Sequence, residues 1–414
     1  MTQNAGARPD RVIAFGLCLI LLTIFYLTHS PAVGYDGVQY LVYAKNLLKT
    51  GQFTFDGANP SCGRAPGYPL FLTAVLWMTG GIALLYPLQL LLLFAACWCV
   101  YAILAPHMQQ RWALGLLVAL TALWPLHTLA MDVKSESLFM ALTAASLLLL
   151  SRGIERGNKW NLVFAGLGFG LSAYVRPVNI FASIFLAAYF LWRGHIKWKR
   201  AALLVVVSWL PLLPWTIRNA LEFGRFVPVA AHIGSFYYMT DPDVFWPVLL
   251  HSAGYSHTTS IHREIVGSDL ELDVDANKRY LERGLANIRR DPLGFVLRCS
   301  MKTVFVWSYL PGTKELYFDK PWLFASGVVI QWTFLVCAFA GWRILRNKSP
   351  AAAGATLGYA LYTIAALLPF YAESRFLLPV YIWLFGLTWY WLYERRSLLL
   401  RLLNSLPSVR SLTR

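Results

Sequence analysis

The sequence predicts an all-α polytopic membrane protein, a single membrane-embedded domain over residues 1–414 with about 10–11 transmembrane helices. Two features of the composition point there. Apolar residues make up 57% of the chain and charged residues 14%, where soluble domains carry about 25% charged residues. Mean hydropathy is +0.52 over the full length. The third observation is periodic: the apolar residues fall into runs near the ~20 residues that cross hydrocarbon, and the segments between them alternate in basic charge.

Taken in order, the first run is 11–29. No convincing cleavage site follows it, so it reads as a retained span rather than a signal peptide. "GYDGVQYLVYAKNLLKTGQF" (34–53) comes next. Tyr40, Ala44, Leu47 and Leu48 fall on one side, with Gln39, Tyr43, Asn46 and Lys49 on the other, the spacing of an amphipathic helix lying in the interface. The piece 68–80 is too short to span and reads as an interfacial or re-entrant helix. Spans are expected at 82–104, 112–130 and 136–151, then at 160–175 and 177–192, two short pieces joined by a tight turn. A span at 200–217 leads into a long segment, 218–320, whose part from Asp275 reads as two helices parted at Pro292. Spans at 322–345, 351–370 and 375–393 precede a basic tail, 394–414.

The loops orient the bundle. With the N-terminus inside, 18 basic residues fall on cytoplasmic segments, among them Arg152, Arg156, Lys197, Lys199, Arg200, Arg343 and Arg346. The short external segments hold Lys45, Lys49, Arg64, Lys134, Arg176 and Arg375. This places both termini in the cytoplasm and makes 30–67, 131–136 and 218–320 the external loops. The segment 218–320 carries 12 basic and 12 acidic residues, so the other 24 basic and 8 acidic residues account for the whole net charge of +16. That charge is scattered over separate inner loops that face the lipid bilayer, which argues against a nucleic-acid partner.

The acids are more informative. Outside 218–320, Asp10, Glu155 and Glu394 sit in basic cytoplasmic contexts, leaving Asp36, Asp56, Asp132, Glu136 and Glu373, all on the expected external surface. Ionisable groups at membrane depth are costly and are functional candidates by default. Asp36 at the start of its helix reads either as an N-cap or as a reactive carboxylate, and the two roles are compatible. In "MDVKSESLF" Asp132 and Glu136 are four apart and share a helical face beside Lys134. The other reading is that Ser135 caps the next span and Glu136 favours its positive end. Arg64, Arg176, Arg218 and Arg375 each lie within a few residues of a span end. Together they would hold a phosphate, since guanidinium binds it bidentately; singly, each could snorkel to lipid phosphate.

Other motifs carry less. "DPD" at 241–243 is a short match to the metal-binding DxD of nucleotide-sugar enzymes, and His251, His257 and His262 lack the partners of a zinc signature. Neither a glycine-rich phosphate loop after a strand nor a GxSxG is present. Cys62 and Cys299 are the two cysteines expected outside the spans, where a disulfide is chemically open.

Several segments occur in an order that resembles the GT-C membrane glycosyltransferases of the protein-mannosyltransferase and lipid A aminoarabinose transferase type. These are the early Asp with "YLVYAKNLLKTGQF", "RAPGYPLFL", "SESLFMALTAASLLLL", "GLSAYVRPVNIF", "LPWTIRNALEFGRFVPV" with "GSFYYMTDP", and "ESRFLLPVYIWLF". The resemblance covers about residues 30 to 390. It implies a GT-C-type bundle with interfacial helices in the external loops, and a polyprenyl-phosphate-linked sugar as donor. The acceptor would be an envelope glycan, lipid or protein, and the active site would face the periplasm or exterior. It places the catalytic acid at Asp36, a second acid at Asp132 or Glu136, and the donor phosphate among Arg64, Arg176, Arg218 and Arg375. The chain has a single Asp where the family often has a longer acidic motif, and it lacks the large soluble domain of the mannosyltransferases proper. Arginines neutralise a departing phosphate, so no metal and no cofactor are expected. A lipid-linked sugar flippase should instead line the bilayer midplane with polar groups and show internal repeats, and the ionisable residues here concentrate on one side. An envelope glycan polymerase or ligase shares the large external loop, but "RAPGYP" and "PWTIRN" favour the transferase.

Overall fold

The computed structural model describes residues 7–231, 234–245, 274–307, 321–370 and 374–405. These form an all-α polytopic membrane protein; among them the only β-type pairings are two isolated bridges. The helices are α1 (Ala7–Thr28), α2 (Tyr35–Thr50), α3 (Gly67–Thr79), α4 (Leu85–Leu104), α5 (Gln110–Thr121), α6 (Trp124–Ala130), α7 (Glu136–Glu155), α8 (Lys159–Val175) and α9 (Ala182–Trp192). There follow α10 (Trp198–Trp209), α11 (Leu213–Phe223), α12 (Gly234–Thr240), α13 (Val274–Arg290), α14 (Pro292–Val306), α15 (Pro321–Lys348), α16 (Pro350–Leu367) and α17 (Leu378–Ser405).

Among the described residues seven helices are long and apolar enough to cross a bilayer, and the pair α5 and α6, bent by 49° at its break, makes an eighth if counted as one span. Of the roughly 10–11 helices expected, these seven or eight meet the crossing length among the described residues, and the remaining apolar pieces are shorter. Residues 159–175 form a helix of 17 residues, and Pro177 then breaks the chain before the short apolar stretch Pro177–Trp192. These two pieces are nonetheless part of the bundle: α8 packs between α7 and α10, and α9 packs on α10 and α16. The expected span at 200–217 continues through Pro211 to Phe223, which puts Arg218 on a helix rather than in a loop.

The core follows from small residues and from paired polar groups. On α16 the run Ala351–Ala353, Gly354, Ala355 and Gly358 is buried, and such residues let helix backbones approach where lipid offers no hydrophobic drive. Asn179 Nδ2 donates to Thr143 Oγ1 and Ser172 Oγ, each at 2.9 Å, and its Oδ1 accepts from Tyr359 Oη at 3.2 Å. One amide thus ties α7, α8 and α16 together. The break expected at Pro292 is present, and Asp291 caps α14 by accepting Gly294 N–H at 2.9 Å.

Chain direction sorts the ends. Glu136, Arg176, Phe223, Leu367 and Leu378 lie at one end of the bundle; Arg156, Lys159, Trp192, Trp198, Lys348 and the last turn of α17 lie at the other. The close contact of α3 with the end of α8 depends on Gly67, because a Cβ there would meet Tyr174 O at 2.7 Å and Val175 N at 2.8 Å. Gly67→Ala should therefore lower stability by about 1–3 kcal/mol, read as a reduced melting temperature in detergent. An unchanged melt would mean that α3 is free to shift.

Candidate active site

The segment between α1 and α2 runs beside residues 131–133. Ala32 N–H donates to Met131 O at 2.9 Å and Val133 N–H to Ala32 O at 3.2 Å, an isolated parallel bridge of Ala32 with Asp132. Asp132 pairs with Lys134 at 2.8 Å, and its Oδ1 accepts Gly34 N–H at 2.9 Å. Gly34 is the N-cap of α2 and offers no side chain, so Asp132 supplies from outside the helix the acceptor that a capping box supplies from within. A Cβ on Gly37 would lie 2.9 Å from Val133 Cβ and from Val133 O, which fixes how closely α2 rests on this segment.

Asp36 is not the cap. It is the second residue of α2, in the first turn, where the helix dipole favours an anion. Its carboxylate lies between two guanidiniums: Oδ1 is 3.2 Å from Arg64 Nη2 and Oδ2 is 3.1 Å from Arg375 Nη2. Arg64 also donates through Nε to Gln39 Oε1 at 2.7 Å, one turn along α2 from Asp36. Burial acts to raise the Asp36 carboxyl, but the fields of Arg64, Arg375 and Arg176 outweigh it and hold the group below the ordinary carboxylate value.

Glu136 opens α7 and is 3% exposed; it pairs with Arg176 Nη1 at 2.9 Å. Ser135 stands at the N-cap but makes no capping bond, and its hydroxyl lies 3.5 Å from the same Nη1. The Arg176 guanidinium sits 4.8 Å from the Phe376 ring centre, and Arg375 lies 5.1 Å from that ring. Among the described residues, three cations and two carboxylates are therefore gathered around Asp36, Glu136 and Phe376.

Arg218, grouped with the others on sequence, stands apart. Its Nη1 donates to Ser61 O at 2.8 Å and Asn219 Oδ1 at 3.0 Å, and its guanidinium lies 4.8 Å and 5.2 Å from the rings of Trp215 and Phe223. It braces the loop that carries Arg64. Asp56 is also elsewhere: it accepts Ala58 and Asn59 N–H at 2.9 and 2.8 Å, and the Asn59 and Ala58 backbone bonds pull its carboxyl down to about 2. Within the DPD run, Asp241 accepts from Tyr237 Oη at 2.8 Å, and among the described residues no group of three or more His, Cys, Asp or Glu is placed to hold a metal ion. Cys62 and Cys299 lie in separate clusters and are not joined by a disulfide. Glu373 and the three loop histidines lie outside the described residues.

Sequence reasoning passed over four supporting residues. Gln39 orients Arg64, and Phe376 separates Arg176 from Arg375. Gln89, fully buried on α4, donates to Ala130 O and Asp132 O, each at 2.8 Å, while Tyr68 Oη donates to its Oε1 at 2.7 Å. A lone Gln in "YPLQLLLLF" was the available signal, since a polar side chain in hydrocarbon needs partners. Lys302, on α14, donates to the carbonyls of Leu367, Leu368 and Phe370 at 2.6, 3.1 and 2.9 Å. It stabilises the end of α16 just before the turn that bears Arg375, and burial pushes its amine down to about 8.

Such an arrangement can bind an anion through its arginines and present a carboxylate beside it. Compared with known proteins, the chain matches no family model, no curated protein and no solved structure.

Two outcomes follow from the charges. Arg176→Met strands Glu136 as a buried unpaired charge and should cost about 3 kcal/mol. The double variant Arg176→Met/Glu136→Gln should recover most of that loss in thermal melts, and no recovery would show that Arg176 acts by packing alone. Because the folded Asp36 carboxyl titrates below its unfolded value, its contribution is complete above about pH 4 and is lost as pH falls through the folded value. The melting difference between wild type and Asp36→Asn should thus hold steady from about pH 8 to 5 and shrink on further acidification.

Proposed function

We propose that this protein is an integral membrane glycosyltransferase that moves a sugar from a polyprenyl-phosphate donor to a glycan, lipid or protein acceptor of the cell envelope. The reading places it in the cytoplasmic (inner) membrane with both termini inside and Asp36 facing the exterior or periplasm. The observation that carries it is the carboxylate of Asp36 held between Arg64 and Arg375 at one end of a lipid-spanning bundle. A donor with an isoprenoid tail stays in the bilayer and brings its phosphate to the level where these arginines stand. The order of sequence motifs supports the same class.

In the resting arrangement the arginines neutralise Asp36, which makes it a weak base. A donor phosphate competing for Arg64, Arg375 and Arg176 would draw their charge away and raise the basicity of the carboxylate it frees. Asp36 then takes the proton of an acceptor hydroxyl as the acceptor oxygen bonds to the anomeric carbon. The bond from that carbon to the phosphate oxygen breaks on the opposite face, and polyprenyl phosphate leaves with both electrons. The arginines stabilise the charge gathering on it. One displacement inverts the anomeric centre. Glu136 holds Arg176 in place and remains outside the proton transfer.

Asp36→Asn should lower transfer from a polyprenyl-phosphate-sugar by about 10²–10⁴-fold in purified, lipid-reconstituted protein, with the melting temperature within the range set by losing its two ion pairs. Full activity would sink the assignment. Arg375→Ala should weaken donor binding strongly, whereas Arg218→Ala should change it little. Mass spectrometry of the lipid that co-purifies would identify both sugar and carrier.

A further inference from the structure

The end of the bundle opposite Asp36 carries a second concentration of charge. Arg156 and Lys159 stand on the turn between α7 and α8; Arg193, Lys197, Lys199 and Arg200 stand on the turn between α9 and α10 and the start of α10. All six are exposed. The two turns are in contact, because a Cβ placed on Gly157 would lie 3.5 Å from Arg200 Nη1. Among the described residues none of the six forms an ion pair with a carboxylate. The nearest acid in sequence, Glu155, accepts a hydrogen bond from Ser349 Oγ instead. The charges around Asp36 are answered by carboxylates, whereas these are not.

Three tryptophans mark the depth of this patch. Trp160, Trp192 and Trp198 are 59%, 79% and 65% exposed. Each has the neighbouring cation near its ring: Lys159 at 5.6 Å, Arg193 at 5.8 Å and Lys199 at 5.8 Å. Exposed indoles at helix ends settle at the boundary between acyl chains and headgroups, so the cations stand at headgroup level. A phosphodiester with its own apolar tails would meet both groups, with its phosphate on the cations and its chains along the exposed indoles and the apolar faces of α8 and α9.

We propose that the paired turns 156–159 and 193–200 form a binding site for an anionic phospholipid of the surrounding membrane. The site is independent of the transferase reading, as it shares no residue with the Asp36 cluster.

The test is native mass spectrometry of the detergent-solubilised full chain titrated with phosphatidylglycerol or with phosphatidylcholine of the same acyl chains. Phosphatidylglycerol should be retained and phosphatidylcholine lost, and inorganic phosphate should not displace the bound lipid. Lys197→Gln/Lys199→Gln/Arg200→Gln should lower phosphatidylglycerol affinity by roughly 100-fold, at about fivefold per cation neutralised. Lys197→Arg/Lys199→Arg should preserve it. Arg111→Gln, which removes a cation at the same end that faces Asp10, should leave affinity unchanged. Equal retention of the two lipids, displacement by inorganic phosphate, or wild-type affinity in the triple glutamine variant would overturn the site. So would an equal loss in Arg111→Gln, which would reduce the effect to net charge. A melt of each variant within a few degrees of wild type confirms that a lost lipid does not report unfolding.

Discussion

Gln89 stands in the interior of α4 with no access to water, and its amide meets two carbonyls that no helix satisfies. Those carbonyls belong to Ala130 and Asp132, at the break where α6 ends and α7 has not begun. A backbone break at this depth is tolerable only where protein groups replace water. Tyr68, from α3, fixes the amide by donating to its oxygen. Once the break is held, its other groups are directed outward. Asp132 takes the N–H of Gly34 and sets the start of α2, and Glu136 opens α7 beside Arg176. The positions of both Asp36 and Glu136 therefore trace back to one buried amide.

The charge arrangement built on that frame is balanced in a particular way. A carboxylate flanked by two half-buried guanidiniums is stable as an ion pair and poor as a base. Neither property alone would suit a reactive site. On the proposed reading, the anionic phosphodiester of a donor would change both at once, because the arginines cannot serve two anions equally. Gln39 holds Arg64 by accepting a hydrogen bond from its Nε, and the Phe376 ring lies 5.1 Å from Arg375. Lys302 acts further back, holding the carbonyls at the end of α16 so that the turn with Arg375 starts from a fixed point.

Much of this was legible in the sequence, for reasons that differ by residue. Hydropathy and loop charge reveal an all-helical membrane protein because lipid leaves few alternatives for the backbone. The amphipathic pattern of 34–53 places α2, and an acid left over after the cytoplasmic and loop acids are set aside directs notice to Asp36 and Glu136. The partner of each acid was not legible, since Arg64, Arg176, Arg218 and Arg375 all sit near span ends and only the packing of α2, α8 and the 374–377 turn sorts them. Arg218 lies apart from the other three, on the helix that continues past Pro211, and donates to Ser61 O. Gln89 was overlooked because amides carry no charge to count, although in hydrocarbon an amide constrains its surroundings as firmly as an ion does.

The contrast between the two ends of the bundle has a physical cause. Near Asp36 the chain turns below the surface, around Asp132, Ser135 and Arg176, and low dielectric forces each charge to find an opposite one. Around 156–159 and 193–200 the turns are short and their cations are exposed, where they can stand without protein partners. Among the described residues, cations without carboxylate partners at one end and compensated ones at the other are the asymmetry from which loop charge would orient the bundle. On the proposed reading, an anion reaching the compensated end would exchange internal pairs for external ones. A site made of unpaired arginines would instead remain occupied by whatever lipid phosphate lay closest. On the proposed reading, Asp36 and Glu136 would keep it available to a ligand that offers more than a bare phosphate.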